Sequence, residues 1–378
     1  YYLQLLNMDL SMNGSAISIA DPSTSKQGFE MIYGNDNYIY YAFSENYDIT
    51  VKKIDDNGVE QWDVSAITNS SDDIIRSIHS YPNDGCIIIY ESQSFIQGSH
   101  IFALALDGSG SVISGWPVSL SDLSEGQYFE SSIQTGDGMF ITFKDNTSGS
   151  YDVYGQYIDF QENLIFGSSG QPIGYGTDDQ QESSVAYNQD QNEILVCYET
   201  RISSENDIHC NEINLTEQIV SDPLIVSEFD NNQSNPNVTW SGSSYLIAWE
   251  DSRNILTSEE DIYFQEYTSG SFAHETDGIV LTDFEKKQER PTISKYSDSD
   301  NSFVIFWEDY RSTGKAFCAN LYGQSYSPQA SQDCVELGDI NGDGQWNVLD
   351  IVGLANCVLA DSCNDLPYAC AADVNDDG

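Results

Sequence analysis

The segment YLIAWEDSR, residues 245–253, joins an apolar pentad that ends in an aromatic residue to an acidic, polar continuation. Five other pentads share this pattern: IYYAF at 39–43, CIIIY at 86–90, MFITF at 139–143, ILVCY at 194–198 and FVIFW at 303–307. Their terminal aromatic residues, called anchors below, are spaced 47, 53, 55, 51 and 58 residues apart. A turn-rich stretch precedes each pentad and a β-rich stretch follows it, so each repeat is predicted to hold about four short strands.

The pentads are apolar at every position instead of alternating, which predicts strands covered on both faces. Six repeats of roughly fifty residues, without helical periodicity, are typical of stacked four-stranded sheets closed into a ring. We therefore predict an all-β fold, a six-bladed β-propeller over residues 1–325, with a solenoid of sheets as the competing geometry. Residues 1–20 are expected to complete the last blade, and a partial seventh blade is the alternative.

Two later repeats carry a sharper motif. WEDSR at 249–253 and WEDYR at 307–311, with DIYFQEY at 261–267 and DVYGQYI at 152–158, resemble the W-x-D-x-R and D-I-Y-x-Q repeats of secreted bacterial and archaeal propellers. The resemblance implies an architecture more than an activity.

Charge limits the possible partners. The chain has 61 Asp and Glu against 13 Lys and Arg, a formal net charge of −48. Such a field repels phosphate backbones and anionic lipid, so we expect neither nucleic-acid binding nor membrane insertion. No run of 18 apolar residues occurs, and a hydrophobic content of 39% is sufficient for a packed core.

Cysteine usage predicts an oxidising compartment. The eight cysteines lack C-x-x-C spacing and cluster in the tail, so we expect disulfides and a secreted, extracellular or cell-surface protein. Cys197 and Cys210 flank a hairpin loop, which makes a cross-strand bridge between them the first expected pairing. Cys86 is expected to be a buried free thiol. The remaining disulfide candidates are Cys318, for which Cys334 is one possible partner, Cys334 itself, Cys357, Cys363 and Cys370.

Residues 339–350, DINGDGQWNVLD, have the oxygen spacing of a twelve-residue EF-hand-type loop, with Gly344 at the sharp turn. The spacing predicts Ca²⁺ as a cofactor. The expected ligands are Asp339, Asn341, Asp343, Gln345 through its carbonyl oxygen, Asn347 and Asp350.

The segment after this loop has helical apolar spacing, and a loop-then-helix unit without an entering helix resembles the dockerin family. The resemblance implies a small α-helical, calcium-binding module at 334–378, after a linker at 326–333. A second loop begins at 373 with possible ligands Asp373, Asn375 and Asp377, and ends with the chain. The implied partner is a cohesin-like protein; a cell-surface component or further copies of the chain are alternatives. Val348 and Leu349 depart from the small or hydroxyl residues that many dockerins carry there.

The polar residues form none of the familiar hydrolase motifs. No G-x-S-x-G or H-E-x-x-H motif occurs, and the four histidines are scattered. Arg201, Arg253 and Arg311 recur beside acids at matching places, which indicates a structural grip on a turn. We therefore assign no catalytic residue, although 61 acids leave a carboxylate pair for glycoside cleavage open.

These observations first suggest a secreted, non-enzymatic adhesion, scaffold or surface-assembly protein with a docking tail. The alternative is a carbohydrate-active enzyme, a polysaccharide hydrolase or lyase, with polysaccharide as its partner. A unique carboxylate pair roughly 5–10 Å apart in a central cleft would favour that alternative. A subunit of an extracellular filament or lattice is the third possibility.

Overall fold

The structure is a computed structural model of the 378-residue chain. It describes residues 2–6, 12–18, 26–68, 71–82, 84–94, 98–297, 302–311, 319–328 and 352. Between residues 2 and 328 the regular elements of the described residues are β-strands, which confirms the all-β class for this part of the chain. No helix among the described residues has the length and apolar character needed to cross a membrane.

The described strands form an N-terminal hairpin and six antiparallel sheets that follow one another along the chain. The hairpin pairs β1 (Tyr2–Leu6) with β2 (Met12–Ser18). Sheet 1 contains β3 (Lys26–Tyr33), β4 (Ile39–Glu45), β5 (Asp48–Ile54) and β6 (Glu60–Ile67). Sheet 2 contains β7 (Asp72–Ser80), β8 (Cys86–Ser94), β9 (Gly98–Leu106) and β10 (Val118–Ser119). Sheet 3 contains β11 (Gln127–Gln134), β12 (Gly138–Asp145), β13 (Asp152–Asp159) and β14 (Gln171–Gly174).

The later sheets vary this plan. Sheet 4 contains β15 (Asp179–Asn188), β16 (Glu193–Ile202), β17 (Glu205–Asn214), β18 (Ile219–Val220) and β19 (Leu224–Ser227). Sheet 5 contains β20 (Gln233–Trp240), β21 (Tyr245–Asp251), β22 (Asp261–Thr268), β23 (Ser271–Phe272) and β24 (Ile279–Thr282). Sheet 6 contains β25 (Gln288–Ser297), β26 (Ser302–Asp309) and β27 (Asn320–Tyr326). In the described pairings β1 pairs with β2 and β27 with β26, so the expected completion of the last sheet by residues 1–20 is not among them.

The six pentads are the second strands of the six sheets. In β21 all five pentad residues are at most 2% exposed, with Trp249 fully buried, which confirms that both faces of this strand are covered. Phe140 of sheet 3 belongs to the same buried cluster as Val196 of sheet 4, and Leu246 of sheet 5 to the same cluster as Ile305 of sheet 6. The core therefore consists of layers between successive sheets, and the first strands β3, β7, β11, β15, β20 and β25 are neighbours in that order.

Each first strand carries a register irregularity opposite or next to the anchor of its sheet. A β-bulge of this kind bends the strand and re-aims a side chain. The residues in the six bulges include Gly28, Arg76, Glu130, Glu182, Asn235 and Arg290. At Gly28 a side chain would lie 2.5 Å from the carbonyl oxygen of Ile75, so the close approach of sheet 2 requires glycine there.

The predicted C-terminal module at 334–378 lies outside the described residues apart from Val352. This applies to the calcium loop, to the second loop and to all of the disulfide candidates from Cys318 onward. They stay predictions from the sequence.

Candidate active site

In sheets 1 to 5 the residue after the anchor lies where its sheet meets the next one, and in four of these sheets it accepts a backbone hydrogen bond from that next sheet. Glu199 accepts a hydrogen bond from the backbone nitrogen of Asn235 at 2.8 Å, and Glu250 accepts one from that of Arg290 at 2.7 Å. Glu91 accepts the backbone nitrogen of Phe129 at 2.7 Å. We call Glu91, Glu199 and Glu250 the junction acids. Each one satisfies a backbone donor that the bulge of the next sheet would otherwise leave unpaired.

Sheet 3 departs from this rule because Lys144 follows its anchor. A lysine ammonium cannot accept a hydrogen bond, and Glu130 in the bulge of the same sheet takes over. Glu130 Oε1 accepts the backbone nitrogen of Glu182 at 2.8 Å, while Oε2 accepts the backbone nitrogen and hydroxyl of Ser183 at 3.0 and 2.6 Å. The junction between sheets 3 and 4 is therefore closed by a different residue.

Lys144, which makes no backbone contact of the kind described above, lies between the carboxylates of Glu130 and Glu182. Its Nζ is 3.8 Å from Glu130 Oε1 and 3.3 Å from Glu182 Oε1. These two distances place the Oε1 atoms at most about 7.1 Å apart. The side chain of Glu130 is 4% exposed and that of Glu182 is 50% exposed, so one carboxyl group is enclosed and the other is open to solvent.

These residues line a cavity of about 370 Å³ between the first strands of sheets 3 to 6. Its walls are residues 129–131 of β11, Lys144 of β12, residues 182–184 of β15, residues 235–237 of β20 and residues 290–291 of β25. Two basic residues, Lys144 and Arg290, are thus among the lining residues, and the Arg290 guanidinium also donates to Glu308 at 3.1 Å.

Burial raises the pKa of Glu130 above its ordinary value, against the opposing effect of the Ser183 hydrogen bonds and the Lys144 charge. Ser183 Oγ is 2.6 Å from Glu130 and 2.8 Å from Thr142 Oγ1. Because hydroxyl hydrogens rotate, this pair can donate to an ionised Glu130 or accept from a protonated one. The hydroxyl pair can therefore follow a change in the protonation state of Glu130, whereas the backbone N–H groups of Glu182 and Ser183 favour its ionised form.

Burial acts in the same direction on two of the junction acids, Glu199 and Glu250. Burial, followed by the charges of Glu182, Glu250 and Glu130, raises the pKa of Glu199 to about 7. Burial also raises the pKa of Glu250. Several carboxyl groups therefore lie close to the cavity. Enzymes that use two carboxyl groups place them in environments that give them different pKa values.

The repeated arginines of the sequence motif are structural in two of three cases. Arg253 donates to Asp251 at 2.6 Å and packs 3.9 Å from the centre of the Tyr263 ring. Arg311 likewise pairs with Asp309. Arg201 corrects the prediction, since it is exposed in the β16–β17 hairpin, where register pairs it with Asn206, and it forms none of the described ion pairs.

The three described cysteines follow the expectation. Cys197 and Cys210 are directly opposite on β16 and β17 and are joined by a disulfide, which is compatible with secretion. Cys86 is a buried free thiol whose pKa is raised by burial.

Glu130, Lys144 and Glu182 were not among the predicted site residues, although the sequence carries a signal for one of them. Aligning the residue after each anchor gives Ser44, Glu91, Lys144, Glu199, Glu250 and Glu308. The basic residue is the exception in this series. The partners of Lys144 could not be predicted from the sequence, because they depend on which bulge packs against which sheet.

No protein-family model and no curated protein matches the chain. Among solved structures, it aligns with the GH93 α-L-arabinofuranosidase of Fusarium graminearum at 9% identity and a TM-score of 0.47, over 82% of this chain and 96% of that one. The Penicillium chrysogenum α-L-arabinanase aligns at 10% identity and 0.43, over 75% and 88%. A PL25 ulvan lyase aligns at 12% and 0.45, over 77% and 81%.

The prediction of a non-enzymatic adhesion or scaffold protein is corrected. The named neighbours are glycoside hydrolases and a polysaccharide lyase, the class that the sequence analysis gave as its alternative. The premise of the prediction also fails, because the polar residues do not simply recur: at Lys144 the repeat changes, and a carboxylate pair lies beside the change.

Proposed function

We propose that the cavity between sheets 3 and 6 is the active site of a carbohydrate-active enzyme that hydrolyses glycosidic bonds. One observation carries the proposal: Glu130 and Glu182 lie on a shared lysine, at most about 7.1 Å apart, in the wall of a 370 Å³ cavity. Glycoside hydrolysis uses two carboxyl groups at roughly 5–10 Å on either side of the scissile bond.

The two carboxyl groups differ in the way that this chemistry requires. Glu130 is enclosed and its pKa is raised by burial, so it is assigned the role of proton donor to the leaving oxygen. Glu182 is half exposed and contacts Lys144, so it is assigned the role of base or nucleophile. The hydroxyl pair of Ser183 and Thr142 adjusts its hydrogen bonds when Glu130 gives up its proton.

A polysaccharide lyase is the second candidate, and the basic residues of the cavity favour it. Lyases that act on uronates need a cation to neutralise the sugar carboxylate while a base removes the neighbouring proton. Lys144 and Arg290 line the cavity from sheets 3 and 6 and supply such cations. In this case Glu182 would be the base, and the substrate would be an anionic glycan.

The test is a screen of the purified chain against neutral polysaccharides, arabinan and xylan, and against the uronates pectate and alginate. New reducing ends measure hydrolysis, and ultraviolet absorbance of unsaturated products measures elimination. Glu182→Gln and Glu130→Gln are each expected to lower the rate by about 100-fold or more, whereas Glu217→Gln, at an exposed site in sheet 4, should leave it unchanged. Full activity in Glu182→Gln, or no cleavage of any of the four polymers by the native chain, would refute the proposal.

The finer architecture also belongs to the proposal: a six-bladed propeller over 1–325, secreted, with a dockerin-like docking tail whose loop at 339–350 binds Ca²⁺ and whose partner is cohesin-like. Calorimetric titration with calcium chloride tests the loop. Asp339→Ala should abolish the binding heat. Equal heats for the native chain and the variant would show that the loop does not bind calcium.

A further inference from the structure

A second depression opens beside the cavity on the side of sheet 2. It has a volume of about 680 Å³ and lies between the start of β9, the segment before β11 and the end of β12. We call it the groove. Gly98 and Gly126 form part of its lining, with Tyr128, Ser124 and Asn146 beside them.

The groove and the cavity are adjacent. Tyr128 lines the groove and is the register partner of Lys144, which lines the cavity. Asn146 lies two residues beyond Lys144, a distance of about 7 Å along an extended chain. Lys144 Nζ is 5.6 Å from the centre of the Tyr151 ring, and that ring is 6.3 Å from the ring of Tyr128. A ligand chain leaving the cavity over Lys144 therefore enters the groove.

The lining of the groove suits a sugar. Tyr128 is 36% exposed, and its ring combines an apolar face with a polar hydroxyl. Ser124 and Asn146 are exposed and bring hydroxyl and amide groups to the rim. Sugar rings present C–H groups on their faces and hydroxyl groups at their edges, so a flat aromatic ring next to small polar groups matches both.

Gly98 and Gly126 contribute backbone without side chains to the lining of the groove. Gly98 has a φ of +81°, a conformation that strains residues with a side chain. At Gly126 an added Cβ would lie 3.0 Å from the Tyr128 hydroxyl oxygen and 3.2 Å from its ring. The missing side chain at Gly126 therefore leaves room for the Tyr128 hydroxyl, and the tyrosine ring packs over this glycine as part of the groove wall.

We propose that the groove binds further sugar units of the substrate, so that the enzyme cleaves internal bonds of a polysaccharide and Tyr128 determines its preference for long chains. This inference rests on the proposed function of the neighbouring cavity. It adds that the substrate is a polymer that extends over Tyr128 in one direction from the scissile bond.

The test compares substrates of different length. Arabino-oligosaccharides and oligogalacturonates of two to six units are the probes, and kcat/KM is measured for each with native chain, Tyr128→Ala and Ser124→Trp. Tyr128→Ala removes the ring, while Ser124→Trp fills the groove and keeps the ring. Tyr33→Ala, which truncates a tyrosine that is 55% exposed in β3, is the matched control.

In the native chain kcat/KM should rise with chain length. Tyr128→Ala should lower it about three- to tenfold for the six-unit substrate, the range for one aromatic contact, and leave the two-unit substrate unchanged. Ser124→Trp should act in the same direction and Tyr33→Ala should have no effect. Equal losses for short and long substrates in Tyr128→Ala, or no length dependence in the native chain, would overturn the inference while the proposed function stands.

Binding of the same oligosaccharides, measured by calorimetry with Glu182→Gln, separates the two proposals. Affinity that rises with length and falls when Tyr128→Ala is added supports the groove even if the native chain cleaves nothing, in which case only the proposed function fails. If none of the oligosaccharides binds, the groove is not a sugar site.

Discussion

The junction between sheets 3 and 4 differs from the junctions between sheets 4 and 5 and between sheets 5 and 6 in the residue that directly follows the anchor. At the later junctions Glu199 and Glu250 accept a backbone nitrogen from the next bulge. At the earlier one Lys144 occupies this position, and the bond to the bulge comes from Glu130. At the later junctions the residue after the anchor accepts the backbone nitrogen of the next bulge. At the earlier junction a residue of the bulge itself provides this acceptor.

Under the proposed function, this difference explains how a repeat protein carries a site that occurs once. The backbone donors of a bulge have to be paired in every sheet. Once Glu130 pairs them from within its own sheet, the position after the anchor is free to carry a cation. The place where the repeat is broken is therefore where chemistry that is needed only once should be sought.

Restoring the acid of the repeat should have the largest effect. Lys144→Glu places a third carboxylate between Glu130 and Glu182 and removes the cation that they share. We expect kcat/KM on the polysaccharide found in the screen to fall about 1,000-fold, as in the loss of an important active-site charge. Lys286→Glu, the same charge change at an exposed site, should change it less than about twofold. If both variants lose activity equally, net charge and not the site is responsible.

Removing a junction acid should affect stability instead. Glu250→Ala leaves the backbone nitrogen of Arg290 and the side-chain nitrogen of Asn235 without their acceptor. The expected loss is about 2–3 kcal/mol in the free energy of unfolding, measured with urea.

Glu250→Gln keeps an acceptor oxygen at the same place and should lose less than about 1 kcal/mol. A loss as large as that of the alanine variant would mean that the charge of Glu250, not its role as acceptor, holds sheets 5 and 6 together.

The smallest effect concerns pH. The pKa of Glu199 is about 7 in the folded chain against an ordinary value of 4.5, so the fold disfavours its ionised form. Ionisation therefore costs stability as pH rises from about 4.5 through 7, and the penalty is complete above 7 and absent below 4.5.

Glu199→Gln, which cannot ionise, should become more stable relative to the native chain by on the order of 1–2 kcal/mol between pH 4 and pH 8. Urea unfolding at the two pH values measures this difference. An unchanged difference between the two proteins would show that Glu199 ionises freely in the folded state.

Part of the architecture could be predicted because its signals are local in the sequence. The pentads identified the second strand of every sheet, and the spacing of Cys197 and Cys210 across a hairpin identified the disulfide. The bulges could not be predicted in this way. Glu182 adopts a positive φ of 53°, which its residue type does not predict, and Asn235 has a φ of 51°, a conformation that asparagine adopts more readily but that no local pattern assigned to this position.

The sequence alone determined that this chain builds successive sheets around buried apolar strands, because burial on both faces demands unbroken apolar runs that are legible in any one repeat. It also contained the exception at Lys144. Only the tertiary structure decided that this lysine meets Glu130 and Glu182, which are 52 residues apart and belong to different sheets. Their distances and the raised pKa of Glu130 arise from the stacking of sheets, which encloses charges that the sequence shows only as a list of acids.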